Sequence, residues 1–161
     1  MAQRVYLALG SNLGGRADNM ARALDALGNQ GVRVTRRSSL YETEPVEVVE
    51  QPWFVNRVVE AETDLAPQEL IALALDIERR LGRERRIPKG PRLIDIDILL
   101  YGDRLIRSPG LEIPHPRMAA RRFVLVPLAE LAPDLLHPVL KKTVSELLAD
   151  LSDPSLVRRI G

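Results

Sequence analysis

The chain has 161 residues, 45% of them hydrophobic, with 23 basic and 22 acidic side chains for a net charge of +1. That length suits one domain, 1–161, with a substantial buried core, and the balanced charge excludes a global pull toward nucleic acid or an anionic membrane. Without cysteine there is no disulfide, thiolate metal site or thiol nucleophile, which suits a reducing cytoplasm.

Val5-Tyr6-Leu7-Ala8-Leu9 reads as a short apolar strand running into the turn-rich Gly10-Ser11-Asn12-Leu13-Gly14-Gly15. That loop lacks the Lys-Ser/Thr of a P-loop and the spacing of a dinucleotide fingerprint, so close backbone packing near a ligand is its expected role. From Arg16 the pattern is helical, with Met20, Leu24 and Leu27 on one face, and Gly28 and Gly31 end it. Val32 to Tyr41 and Phe54 to Thr63 read as strands, joined by a segment, 42–53, too long for a hairpin turn. Pro67 suits the first turn of a second helix, with Leu70, Leu73, Ile77 and Leu81 inward and Gly82 as its stop. A basic loop, 83–92, leads to a strand over 93–101, and Arg121 to Leu131 and Thr143 to Leu151 read as further helices. The order strand, helix, strand, strand, helix, strand predicts an α+β, ferredoxin-like βαββαβ core: an antiparallel sheet with helices on both faces. The N-terminus lacks the apolar stretch of a signal peptide and no run approaches a membrane helix, so a soluble cytoplasmic protein is expected, with a monomer as the default.

The strand over 93–101 carries Asp95 and Asp97 in an otherwise apolar, β-branched run. Alternation puts both carboxylates on one face, roughly 6.5–7 Å apart at Cα, with Ile94, Ile96, Ile98 and Leu100 on the other. Two such acids can hold a pair of divalent ions about 3.5–4 Å apart, or they can simply be the solvent face of a half-exposed strand. The preceding loop holds Arg83, Arg85, Arg86, Lys89 and Arg92, and guanidinium forks beside metal-binding carboxylates are the parts phosphoryl transfer needs. His115 stands between Pro114 and Pro116, which restrict its direction, whereas His137 reads as structural. Trp53, Phe54, Phe123 and Asn56 offer aromatic faces and an amide, enough to sandwich a flat heterocycle and read its edge, although each aromatic alone reads first as a core residue.

Five segments occur in an order and spacing that resembles the 6-hydroxymethyl-7,8-dihydropterin pyrophosphokinases of folate biosynthesis. They are Leu9 to Gly14, Tyr41-Glu42-Thr43-Glu44-Pro45, Gln51 to Asn56, Gly90-Pro91-Arg92-Leu93-Ile94-Asp95-Ile96-Asp97, and Pro114-His115-Pro116-Arg117-Met118. The resemblance implies transfer of the pyrophosphoryl group of ATP to the pterin hydroxymethyl oxygen, with release of AMP. It implies two Mg²⁺ on Asp95 and Asp97, and a catalytic set of Asp97, Asp95, Arg83 and Arg92. Glu78, Arg83, Arg85, Arg92, Ile98, His115 and Arg121 would meet ATP. Gly10, Thr43, Pro45, Val46, Phe54, Asn56, Asp95 and Phe123 would enclose the pterin. Lys89, Pro116 and Phe54 depart from residues found in other members, and none of the three is an implied metal ligand. Small-molecule substrates are expected as the only partners. A Mg²⁺-dependent nucleotidyl transferase and an RNA-binding ferredoxin-like domain are the alternatives. In the first, the Gly-Ser turn and the Asp pair usually lie close, whereas here Ser11 and Asp95 are 84 positions apart. The second would need exposed aromatics on the central strands.

Overall fold

A computed structural model describes residues 2–45, 50–82 and 93–161. Four strands form the centre: β1 (Gln3–Ser11), β2 (Val32–Arg37), β4 (Phe54–Thr63) and β5 (Asp95–Tyr101). A short β3 (Tyr41–Thr43) precedes β4, and α1 (Arg16–Asn29) and α2 (Pro67–Gly82) make the crossovers. β1 pairs antiparallel with both β4 and β5, while β2 and β3 both pair antiparallel with β4. Each crossover helix therefore joins two strands that run the same way with one strand between them, which is the expected ferredoxin-like α+β arrangement. Two short strands, β6 (Ile106–Ser108) and β7 (Leu111–Ile113), form a separate hairpin. After a single 3-10 turn (Met118–Ala120) come α3 (Arg122–Leu131), α4 (Val144–Asp150) and β8 (Val157–Arg159). β8 extends the sheet beside β3.

Alternation along the strands divides the interior into two cores. Val5, Leu7 and Leu9 of β1, Val55, Val59 and Ala61 of β4, and Ile96 and Ile98 of β5 pack against Met20, Leu24, Leu27, Leu70 and Ile77 of α1 and α2. The opposite face packs Tyr6, Val58, Leu99 and Leu100 against Val124, Leu125, Leu128, Val144 and Leu147 of α3 and α4. Each fully buried aliphatic side chain contributes about 1.5–3 kcal/mol. Helices thus cover both faces, as the pattern predicts.

Local chemistry explains the helix ends. The Glu69 carboxylate accepts from Ala66 N (2.7 Å) ahead of Pro67, whose missing N–H costs nothing in the first turn. Thr143 and Glu146 form a reciprocal capping box at α4. α1 runs one residue past Gly28, and Gly31, at φ +90°, turns the chain into β2.

Two expectations change. Val32 to Tyr41 is two strands, because the three residues between Arg37 and Tyr41 oppose only two between Val59 and Asn56. The break is stitched by Ser38, whose Oγ accepts from Val58 N (3.0 Å) and whose carbonyl accepts from Arg57 Nε (2.9 Å). In β5, Ile98 pairs with Leu7 and Leu100 with Tyr6, so Leu99 is a surplus residue, a β-bulge. Leu100 therefore faces the α3–α4 core with Leu99 rather than following Ile96 and Ile98.

Candidate active site

The bulge lies just after the acidic pair and leaves its geometry intact. Asp95 pairs with Gly10 and Asp97 with Ala8, so both carboxylates stand on the α3 side of the sheet, flanked by the two smallest side chains of β1. Gly10 in turn pairs with Asn56 of β4. A cavity of about 120 Å³ opens over this floor. Its walls are Thr43, Glu44, Pro45, Gln51 and Phe54 from the β3–β4 region, Arg121 and Phe123 from the start of α3, and Asp95 and Asp97 from β5.

Asn56 Nδ2 donates to Thr43 Oγ1, which turns its Oδ1 over Gly10. A Cβ on Gly10 would come within 2.5 Å of that oxygen, so the floor requires glycine. The Arg121 guanidinium lies 5.3 Å from the centroid of the Phe123 ring. Pro127 inside α3 removes the N–H that would otherwise bond the Phe123 carbonyl.

His115 is pinned beside β5 by its N–H, which donates to the Leu99 carbonyl of the bulge (2.9 Å). The preceding Ile113–Pro114 peptide is cis. Burial, then the neighbouring Arg121 and Arg117, push the His115 pKa down to about 4, so the ring is neutral at pH 7. Its Nδ1 accepts from Arg117 N (3.1 Å), which leaves the ring proton on Nε2, 3.9 Å from Asp97 Oδ1. Glu78 reaches the other side of the pair, its Oε2 accepting from Ile96 N (2.7 Å) at the outer edge of β5. Ile98 points into the α1–α2 core, so its side chain faces away from the acidic pair.

The structure therefore brings Gly10, Thr43, Pro45, Phe54, Asn56, Asp95 and Phe123 to one cavity, with Asp97 and Arg121 on its wall and His115 beside Asp97. Val46, Arg83, Arg85 and Arg92 lie outside the described residues. Trp53 does not line the cavity; its carbonyl accepts from Arg16 (2.9 Å), which also pairs with Glu42 (3.1 Å). Asn12 Nδ2 donates to Gln51 Oε1 (2.8 Å) and to the Pro52 carbonyl (3.0 Å). Sequence reasoning gave no site role to Asn12, Arg16, Glu44 and Gln51, although Asn12, Glu44 and Gln51 lie in the segments that carry the resemblance. The local signal was the polar Ser11-Asn12 step after a buried strand, and Asn12 acts as a clasp for the returning 50–53 segment. Asp95 and Asp97 are half-buried hard-oxygen donors on one wall, a donor set that Mg²⁺ takes together with water and phosphate oxygens. Among the described residues no group of three or more His, Cys, Asp or Glu side chains forms a fuller metal cage.

Residues 6–133 match the model of the 7,8-dihydro-6-hydroxymethylpterin-pyrophosphokinase (HPPK) family. The chain belongs to this family. It is 45% identical over 158 residues to the 2-amino-4-hydroxy-6-hydroxymethyldihydropteridine pyrophosphokinase of Methylorubrum extorquens, covering 98% of each chain. The protein of that name from Pseudomonas aeruginosa is 47% identical over 139 residues, 86% of each. A longer relative, folic acid synthesis protein fol1 of Pneumocystis carinii, is 41% identical over 94% of this chain, which spans only 20% of that protein. Among solved structures, wild-type HPPK-DHPS of Plasmodium falciparum superposes with a TM-score of 0.73 at 16% identity, over 92% of this chain and 44% of that one, and so shares the HPPK fold. The family places this chain among the ATP-dependent pyrophosphokinases. Among the described residues no helix is long and apolar enough to cross a membrane.

Proposed function

We propose that this chain, as one domain over 1–161, transfers the pyrophosphoryl group of ATP to 6-hydroxymethyl-7,8-dihydropterin in folate biosynthesis, with the acceptor in the cavity and ATP across its acidic wall. The observation that carries the reading is the shared row across the sheet: Asp95, Gly10 and Asn56 are neighbours on three strands, beneath Phe54 and Phe123. Phe54 and Phe123 would cover the two faces of the flat acceptor, Asn56 and Thr43 would read its polar edge, and Pro45 and Val46 would close the rim. Glu78, Arg83, Arg85, Arg92, His115, Arg121 and the main chain at Ile98 would border ATP.

The acceptor hydroxyl oxygen attacks the β-phosphorus, the bond from that phosphorus to the α–β bridging oxygen breaks, and AMP leaves with that oxygen. The hydroxyl proton passes to Asp97 or to water. Mg²⁺ bound by Asp95 and Asp97 would supply neutralisation of triphosphate charge and acidification of the acceptor hydroxyl. The arginines stabilise charge moving toward AMP, and a neutral His115 can donate Nε2–H to a phosphate oxygen without adding charge. A monomer is the proposed working unit, and the lack of cysteine suits the cytoplasm.

The test is AMP release from ATP that depends on both the pterin and Mg²⁺. Asp97→Ala should lower turnover by about a hundredfold or more, as loss of one electrostatic stabiliser does. Near-normal turnover of that variant would sink the metal assignment. Free pyrophosphate as the product would replace the reading with nucleotidyl transfer.

A further inference from the structure

The two walls of the cavity come from distant parts of the chain, and a segment beyond residue 133, where the family match ends, touches both. At one end β8 pairs with β3, Thr43 opposite Val157 and Glu42 opposite Arg158. Leu156 N donates to Glu44 Oε1 (2.8 Å), and Glu44 N donates back to the Leu156 carbonyl (3.3 Å). Thr43 and Glu44 line the cavity. At the other end Asp153 Oδ2 accepts from Arg122 N (3.2 Å), and its Oδ1 accepts from Ser155 N (2.9 Å). Arg122 Nη1 donates to the Ser155 carbonyl (3.1 Å). Arg122 stands between Arg121 and Phe123, which form the opposite wall.

We propose that residues 153–159 are a strap that sets the separation of the two walls of the acceptor cavity, with Asp153 and the Leu156–Glu44 pair as its positioning contacts. The proposal rests on the acceptor assignment above. Arg122 N is one of the first N–H groups of α3, without a helical partner by construction, so an acidic side chain there fixes both the strap and the helix end. Burial pushes the Asp153 carboxyl up, but the N–H groups of Ser155 and Arg122 and the Arg122 charge outweigh it and hold the group below the usual carboxylate range. β3 is only three residues long, so its outer side relies on β8 and on Leu156 to keep Thr43 and Glu44 in place. Neither Asp153 nor Leu156 lines the cavity, so the strap acts through Glu44 and Arg122. A slack wall weakens grip on the flat acceptor, whereas of the groups assigned to ATP only Arg121 stands on a strapped wall and the others lie on α2, in 83–92, on β5 and at His115.

Asp153→Ala, and Leu156→Pro, which removes the N–H that Glu44 accepts, test it by steady-state kinetics with ATP and 6-hydroxymethyl-7,8-dihydropterin. Each should raise the acceptor KM about tenfold and leave the ATP KM within about twofold, with Asp153→Asn, which keeps an acceptor oxygen, close to the unsubstituted chain. A fall in kcat with the acceptor KM unmoved would mean less folded protein and would overturn the strap, as would equal rises in both KM values. Amide hydrogen exchange gives a readout that needs no turnover. In Asp153→Ala, exchange should quicken at Thr43 and Glu44 as well as at the start of α3; quickening at α3 alone also overturns the strap. An unsubstituted chain that releases no AMP from this substrate pair refutes the acceptor assignment, and the exchange result then decides the strap by itself.

Discussion

Gly10 stands between Asp95 and Asn56 on adjacent strands, and the cavity floor exists because it has no side chain. Gly10→Ala forces the Asn56 amide out of its bond with Thr43, since the new methyl would lie 2.5 Å from Asn56 Oδ1. Overpacking of this kind costs about 1–3 kcal/mol. The acceptor KM should rise about tenfold or more, given that about 1.4 kcal/mol is a factor of ten, while the ATP KM stays near its original value. Isothermal titration and steady-state kinetics check this. The aspartates of the site were legible in the sequence because strand alternation is local: Asp-Ile-Asp puts two carboxylates on one face wherever the strand lies. Asn12 and Arg16 were not, because their partners lie 39 and 37 residues away, and no local pattern encodes such pairs.

Elements differ in the same way. Helices α1 and α2 and strands β1, β4 and β5 carry strong periodicity, and the structure places them where the pattern does. β8 is three residues, Val-Arg-Arg, two of them exposed, and becomes a strand only because β3 offers it an unpaired edge. The β6–β7 hairpin is equally short and pairs through three residue pairs. The division of 32–41 into two strands depends on Ser38 bonding to β4, which periodicity does not report. α4 has seven residues and depends on its ends more than on its length. Thr143→Ala removes the acceptor for Glu146 N and should cost about 1 kcal/mol. Thermal denaturation should show Tm lower by about 2–4 °C, with both KM values unchanged.

Across the whole molecule, two carboxylates tie separate elements together: Glu130 joins α3 to the 39–41 stretch, and the buried Glu60 joins β4 to β1 and β2. Glu130 of α3 accepts from Tyr41 OH (2.7 Å), Ser39 N (3.0 Å) and Ser39 Oγ (3.1 Å), and Glu60 accepts from Tyr6 OH (2.7 Å) and Thr35 Oγ1 (2.8 Å). Burial pushes both carboxyls up, and these donors, with nearby arginines, outweigh it and hold both below the ordinary value. A carboxylate held low stabilises the fold above its unfolded pKa and gives that stability up as pH falls through its folded one. The Tm should therefore be nearly level from pH 7 to about 5 and drop steeply below about 4.5. Glu130→Gln should lower the Tm at neutral pH and flatten the acid limb. The surplus residue in β5 has a consequence on this scale. Leu99 hands its carbonyl to His115 while the register of Asp95 and Asp97 against β1 is already complete upstream of it. Adding or removing a residue at that point would carry the histidine along the strand and leave the acidic pair where it is. One side of the site can thus be retuned by descent without disturbing the other.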